Sequence, residues 1–253
     1  MLNEKLANEN HEICLVILDK FLEVCEKNNI SYYLTEGSAL GAVRHHGFIP
    51  WDYNIDVHLD VENYKKLDKI MSYENLGDLR WFRPSYRIIP FLMRKDSLDF
   101  PICPSIDITI MGNAPDNKFL RWIFMNIMFF NIKMFKLKNT KVKRKFPYNF
   151  LKLISKCFPD SLYWKVLKWA EGIDQTTKTE YLTALTPSFY GNSELIKRDW
   201  IGSKPTYGEF EGRKVCLFLK NHEYLTNRYG DYMKPVVWEG KGEYTGCFYN
   251  RKN

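Results

Sequence analysis

Two short runs, Ile55 to Leu59 and Ser105 to Ile110, alternate apolar and polar residues with period two, and each sets an aspartate on its polar side. In the first, Ile55, Val57 and Leu59 share one face while Asp56 and His58 take the other. In the second, Ile106, Ile108 and Ile110 alternate with Asp107 and Thr109. Only a strand with one apolar face reads this way. Helical periodicity surrounds these runs. Ile13, Val16, Leu22 and Cys25, with Phe21 alongside, recur at helical spacing from about Glu4 to Lys27, and a second helix is predicted over Val61 to Met71. Strands interleaved with helices define an α/β chain. Its 253 residues suffice for one large domain or two small ones and for a sizeable core without staples.

The rest of the chain is read more coarsely. Ser31 to Thr35 is extended, Gly37-Ser38 is a turn, Ala39 to Arg44 is a short helix and His46-Gly47 a second turn. Pro50 forces an extended entry into Trp51. A further strand is expected near Tyr86 to Arg94, with late strands over Tyr181 to Leu185 and Val215 to Leu219. Asn221 to Tyr229 reads as a closing helix that stops at Gly230. The tail from Trp238, rich in Gly and aromatics, has no assignable pattern.

Charge is unevenly spread. The net charge is +7, yet the stretch from Asn117 to Pro159 holds eleven Lys or Arg and no Asp or Glu, which leaves 26 basic against 30 acidic residues elsewhere. A basic, aromatic block, predicted as two helices with a break near Pro147, therefore sits inside a slightly acidic body. The six cysteines make no C-x-x-C pair and match neither a zinc site nor a disulfide framework, so each is expected as a small buried apolar residue. Met1 to Asn10 lacks an apolar signal region, and no run of 18 apolar residues is free of charge. The expectation is a cytoplasmic chain. The Phe119 to Phe135 helix, with Lys141, Lys143, Arg144 and Lys145 behind it, has the make-up of a peripheral membrane contact through 119–145. No helix-turn-helix or RNA-binding signature points to nucleic acid.

Carboxylates on strands carry the chemistry. If the two Asp-bearing strands are neighbours, Asp56 and Asp107 converge on one hard cation, as Mg²⁺ requires when it joins one or two carboxylates to phosphate oxygens. Asp52 lies just upstream. The competing reading makes these residues polar decoration of edge strands. Gly37-Ser38 is compatible with phosphate, because glycine admits a close backbone approach and the hydroxyl supplies a hydrogen bond.

The stretch Glu36-Gly37-Ser38-Ala39-Leu40-Gly41-Ala42-Val43-Arg44-His45-His46-Gly47-Phe48-Ile49-Pro50-Trp51-Asp52 closely resembles the signature of the LicD-type phosphotransferases, which include the fukutin-related sugar-phosphate transferases. Ser105-Ile106-Asp107-Ile108 is similar to that family's later strand, and Tyr229-Gly230-Asp231-Tyr232-Met233 to its C-terminal element. The resemblance runs from the first helix to about Pro235 and is loosest over 117–159.

The resemblance implies a nucleotidyltransferase-like mixed sheet flanked by helices. The chain is then a single domain over 1–253, with a basic aromatic helical insertion at about 117–170. It implies that Gly37 and Ser38 bind a nucleotide phosphate and that Asp56 and Asp107 bind Mg²⁺ or Mn²⁺. The family's remaining acidic position falls on Asn54, whose neutral carbonyl removes one negative charge from the site. Asp52 is a further metal candidate, and Arg44 and Arg94 are candidate phosphate contacts. The implied reaction moves phosphocholine, or a related polyol or sugar phosphate, from a CDP-linked donor to a hydroxyl of a cell-surface glycan, in some cases lipid-linked. Asn54 leaves open a non-catalytic nucleotide- or glycan-binding protein of the same fold. His45, His46 and His58 stand as ligands, bases or structural histidines, and Trp51 and Tyr53 as base- or choline-stacking rings or as core.

Overall fold

The computed structural model describes residues 4–82, 89–100, 103–139, 148–173, 177–186, 194–202 and 206–234. The chain opens with α1 (Glu4–Lys27), a short strand β1 (Tyr33–Leu34), α2 (Glu36–Arg44), β2 (Ile55–Asp60) and α3 (Val61–Met71). Then come β3 (Leu79–Phe82), β4 (Phe91–Arg94) and the long β5 (Ser105–Ala114). Three helices follow, α4 (Lys118–Asn139), α5 (Tyr148–Ser155) and α6 (Asp160–Gly172). The chain closes with β6 (Tyr181–Ala184), β7 (Leu195–Lys197), α7 (Arg198–Ile201), β8 (Thr206–Phe210), β9 (Arg213–Leu217) and α8 (Asn221–Tyr229).

Seven of these strands form one mixed sheet, β1-β2-β5-β4-β3, with β6 on the far half of β5 and β7 outside it. β2 and β5 run parallel, and the other pairings are antiparallel. A parallel neighbour needs a crossover, here α3, β3 and β4. The α/β class with a mixed sheet flanked by helices stands as expected. The alternation decides which face is covered: Ile55, Val57, Leu59, Ile106 and Ile108 are fully buried in one core cluster, which also takes Leu18 and Phe21 from α1 and Leu67 from α3. α1 lies on β4 and β5, and α3 on β2 and β5. Asp60, the last residue of β2, also caps α3 by accepting the Asn63 N–H at 2.7 Å.

The basic block holds two described helices, α4 and α5, as expected, and α6 follows it directly. Asn117 starts α4 by accepting the N–H groups of Phe119 and Leu120 at 3.0 and 3.1 Å. Arg121 fastens it to the end of β5, donating to the carbonyls of Pro115 and Asp116 at 2.9 Å and lying over the Tyr181 ring. The inner side of α4, Phe124, Met128, Ile132 and Phe135, meets Tyr163 and Leu167 of α6 in the core cluster. The expected break at Pro147, part of the strand expected from Tyr86, the lysines from 141 to 145 and the tail from Trp238 lie outside the described residues. Cys14, Cys25 and Cys103 are buried as expected, but Cys157 is exposed and Cys216 half-buried. Among the described residues no helix is long and apolar enough to cross a membrane.

Candidate functional site

Asp56 and Asp107 are partners in register across the parallel β2–β5 pair. Residues directly opposite each other point to the same side of a sheet, so the two carboxylates stand together on the face away from the isoleucines. Each is held locally. Ser105 donates its hydroxyl to Asp107 Oδ1 at 2.8 Å, and the Asp56 backbone N–H reaches Ser38 Oγ at 2.9 Å. Burial and the charges of Asp107, Asp52 and Glu36 push the Asp56 carboxyl well above its usual range. Asp52 is pushed up to about 6, mainly by burial. Acids brought together against their own repulsion are what a divalent cation relieves.

Asn54 completes the group. It is buried and donates Nδ2 to Asp56 Oδ1 at 3.1 Å. Among the described residues no set of three or more His, Cys, Asp and Glu side chains is arranged to hold a metal ion. Asp56 and Asp107, with Asn54 and Asp52 beside them, are the residues here that could hold a divalent cation, whose remaining positions would fall to ligand oxygens or water.

The Gly37-Ser38 pair is not a free turn. It lies in the first turn of α2, which starts at Glu36 rather than Ala39, with Thr35 extended before it. The reason is the junction itself. Glu36 takes φ 50, outside the usual range for a residue with a side chain, and its surroundings hold it there. Its N–H donates to the Tyr224 hydroxyl at 3.1 Å, and its carboxylate takes Arg228 Nε at 2.8 Å and Nη2 at a shorter distance. Arg228 Nη1 meets Glu194 at 3.2 Å, and both side chains are nearly inaccessible to solvent. The α2 N-terminus is thus anchored to α8 by a Glu36–Arg228–Glu194 triad that no motif announced; the sequence shows only an Arg immediately before Tyr229-Gly230. A Cβ at 37 would run into Asp52 Oδ2 and displace that carboxylate, and one at 41 would strike the Gly47 backbone carbonyl, so glycine permits both close approaches.

The segment carrying Asp52 is clamped from α1. Asn10 donates Nδ2 to the Tyr53 carbonyl at 2.6 Å, and His11 Nε2 lies 2.8 Å from the Asp52 carbonyl. The His11 ring stacks on Phe48 at 4.0 Å. From sequence, α1 was only a core helix, because polar side chains that hold a distant backbone leave no periodic signal.

Arg44 and Arg94 fall elsewhere. Arg44 ends α2, six residues or about 9 Å along the helix from Ser38, and donates to the Tyr232 carbonyl at 2.7 Å. It thereby ties the helix to the C-terminal Tyr-Gly-Asp-Tyr element. Arg94 is not brought to the carboxylates. Phe91 is the residue opposite Asp107 on β4, so Arg94, three positions on, takes the other face. There it makes a two-point ion pair with Asp96, both contacts at 2.6 Å. His45 and His46 are exposed, and Trp51 is 45% exposed. Tyr53 is half-buried. His58 is buried on the carboxylate face, with Nδ1 lacking a hydrogen-bond partner, and burial holds it neutral, lowered to about 3.

A mixed sheet with paired aspartates on adjacent parallel strands, beside a glycine-containing helix N-terminus, is the arrangement expected of a nucleotidyltransferase-type domain. Residues 29–87 match the model of the LicD/FKTN/FKRP nucleotidyltransferase domain. The chain is 26% identical over 240 residues, 89% of its own length and 91% of the relative's, to the lipopolysaccharide cholinephosphotransferase LicD of Haemophilus influenzae. It is 37% identical over 51 residues, 20% of this chain and 10% of the relative, to the human ribitol 5-phosphate transferase FKRP. The chain thus resembles the LicD-type proteins along most of its length, as its motifs suggested.

Proposed function

We propose that this chain is a metal-dependent transferase of substituted phosphate groups. In this reading it moves phosphocholine, or a related polyol or sugar phosphate, from a CDP-linked donor to a hydroxyl of a cell-surface glycan. Similarity over nine-tenths of both chains to a protein named as a lipopolysaccharide cholinephosphotransferase supports the transferase reading. The observation that carries the chemistry is the in-register pair Asp56 and Asp107. These two, with the Asn54 amide oxygen and Asp52 beside them, would hold Mg²⁺ or Mn²⁺. Bound there, the cation supplies charge neutralisation on a polyphosphate and alignment of its leaving oxygen. The chain's own groups do the rest. Ser38 fixes the backbone of Asp56, Ser105 orients Asp107, and the first-turn N–H groups of α2 favour an anion beside them.

The test is phosphorus NMR of CMP release from CDP-choline, CDP-ribitol and CDP-glycerol, each with Mg²⁺ or Mn²⁺. Metal-dependent release from one donor is expected, falling about 100-fold or more in Asp107→Asn. Equal rates in that variant refute the site assignment. A non-catalytic, ligand-holding reading rests on one observation, the Asn54 amide hydrogen-bonded to Asp56 where the family's acidic residue is expected. Nucleotide binding without CMP release from any donor favours it.

A further inference from the structure

α4, α5 and α6 carry eleven of the eighteen large apolar side chains that stand exposed among the described residues. On α4 they share one face. Phe119, Trp122, Ile127 and Phe130 lie opposite the inward row Phe124, Met128 and Ile132, and Asn126 and Lys133 are the polar residues among them. α5 is odder still. Of its residues 149–155 only Ser155 is buried, while Phe150 is 54% and Leu153 61% exposed. A soluble monomer rarely shows so much contiguous apolar surface without a partner.

Charge identifies the partner. Lys118, Lys133, Lys136 and Lys156 are exposed around these rings, and the stretch 117–159 contains no acidic residue. Two acids flank it: Asp160 is paired with Lys138 at 2.8 Å, and Asp116 accepts the Glu180 N–H at 2.8 Å. A second copy would set two basic faces against each other, which like-charge repulsion opposes. An anionic lipid surface satisfies both halves of the patch, with headgroup phosphates for the lysines and the acyl boundary for Trp, Phe and Leu. Since no described helix is long and apolar enough to span, the contact is peripheral.

We propose that the outer face of α4 together with α5 is an interfacial membrane-docking surface selective for anionic lipid. It is separate from the reaction site. Asp107 and the end of β5 at Ala114 are seven residues apart, roughly 23 Å of strand, and α4 begins beyond that.

The experiment is flotation of the full chain on vesicles of phosphatidylcholine alone and of phosphatidylcholine with about 30% phosphatidylglycerol. Binding to the anionic vesicles only is expected, weakening as salt is raised. Trp122→Glu with Leu153→Glu, both at exposed sites, should weaken it about tenfold or more with an unchanged circular dichroism spectrum. Lys133→Glu with Lys156→Glu should do the same. Four results overturn the proposal: no binding to either vesicle; equal binding to both; loss in the lysine pair but not in the Trp–Leu pair, which marks a general polyanion surface; or a concentration-dependent dimer abolished by the Trp–Leu pair, which makes the occupant a second copy.

Discussion

Arg228→Met is the most informative single change to the framework of the site. Its side chain is 3% exposed, and it faces Glu36 at 22% and Glu194 at 4%. Removing the cation leaves two carboxylates in a desolvated pocket without their counter-ion. Breaking a buried pair in this way costs about 3–5 kcal/mol, and the Glu36 backbone at φ 50 loses one of the contacts that hold it there. In a chain of this size each kcal/mol lowers Tm by about 2–4 °C, so a drop of about 10 °C is expected. The pH dependence separates this cause from lost packing. Burial already raises the Glu36 carboxyl, and the Arg228 charge pulls it back down. Without Arg228 it rises further above its unfolded value of about 4.3. A raised carboxyl takes up a proton in the folded state, so its contribution is complete at low pH and is lost as pH rises through the folded value. The deficit of Arg228→Met relative to the parent should therefore be smallest near pH 5 and largest near pH 8, by urea denaturation at each pH. A loss below about 1 kcal/mol, or one that does not vary with pH, would falsify the triad as a charge-coupled anchor. Arg228→Lys should restore the pH behaviour with only part of the stability, because it keeps the charge and loses the two-point geometry.

Three further outcomes follow from the site. Asn54→Asp replaces the donor to Asp56 by a third carboxylate; a loss of about 1–3 kcal/mol in chelator is expected, reversed on adding Mg²⁺, as a thermal melt with and without metal would show. An unchanged melt in both conditions would place residue 54 outside the cation's reach. Gly37→Ala drives a methyl into Asp52, so activity should fall about tenfold or more while the melt moves by only a few degrees, the displaced group being one side chain. Arg94→Ala should leave KM for the donor unchanged within about twofold, since its guanidinium is committed to Asp96 on the other face.

Much of this was legible in the chain because period and spacing report one dimension of the fold. α1, α3 and α8 begin and end where their apolar spacing and stop signals placed them. β2 and β5 were visible as alternations, which fixed Asp56 and Asp107 to a polar face. β3, β7 and β8 left no usable trace. Leu79–Phe82 and Leu195–Lys197 are too short to alternate, and their strand conformation comes from ladders with β4 and β6. Gly37-Ser38 read as a turn because both residues disfavour helix interiors; Glu36, held by Arg228 and Tyr224, starts the helix before them. Arg94 was a candidate phosphate contact by resemblance, yet a register with Phe91 opposite Asp107 sends it to the other side.

The sequence by itself determined which residues can face a core and which acids stand on strands, because side-chain direction alternates with local geometry alone. It also determined that the basic block has no acids to neutralise it. Only the tertiary structure decided that Asp56 and Asp107 are partners, that Asn54 donates to Asp56, and that Arg228 reaches back 192 residues to Glu36. It also decided which side of α4 is left uncovered. Pairing between distant segments follows from strand register, close packing and the cost of burying an unpaired charge. Those belong to the assembled interior, where residues far apart in sequence first become neighbours.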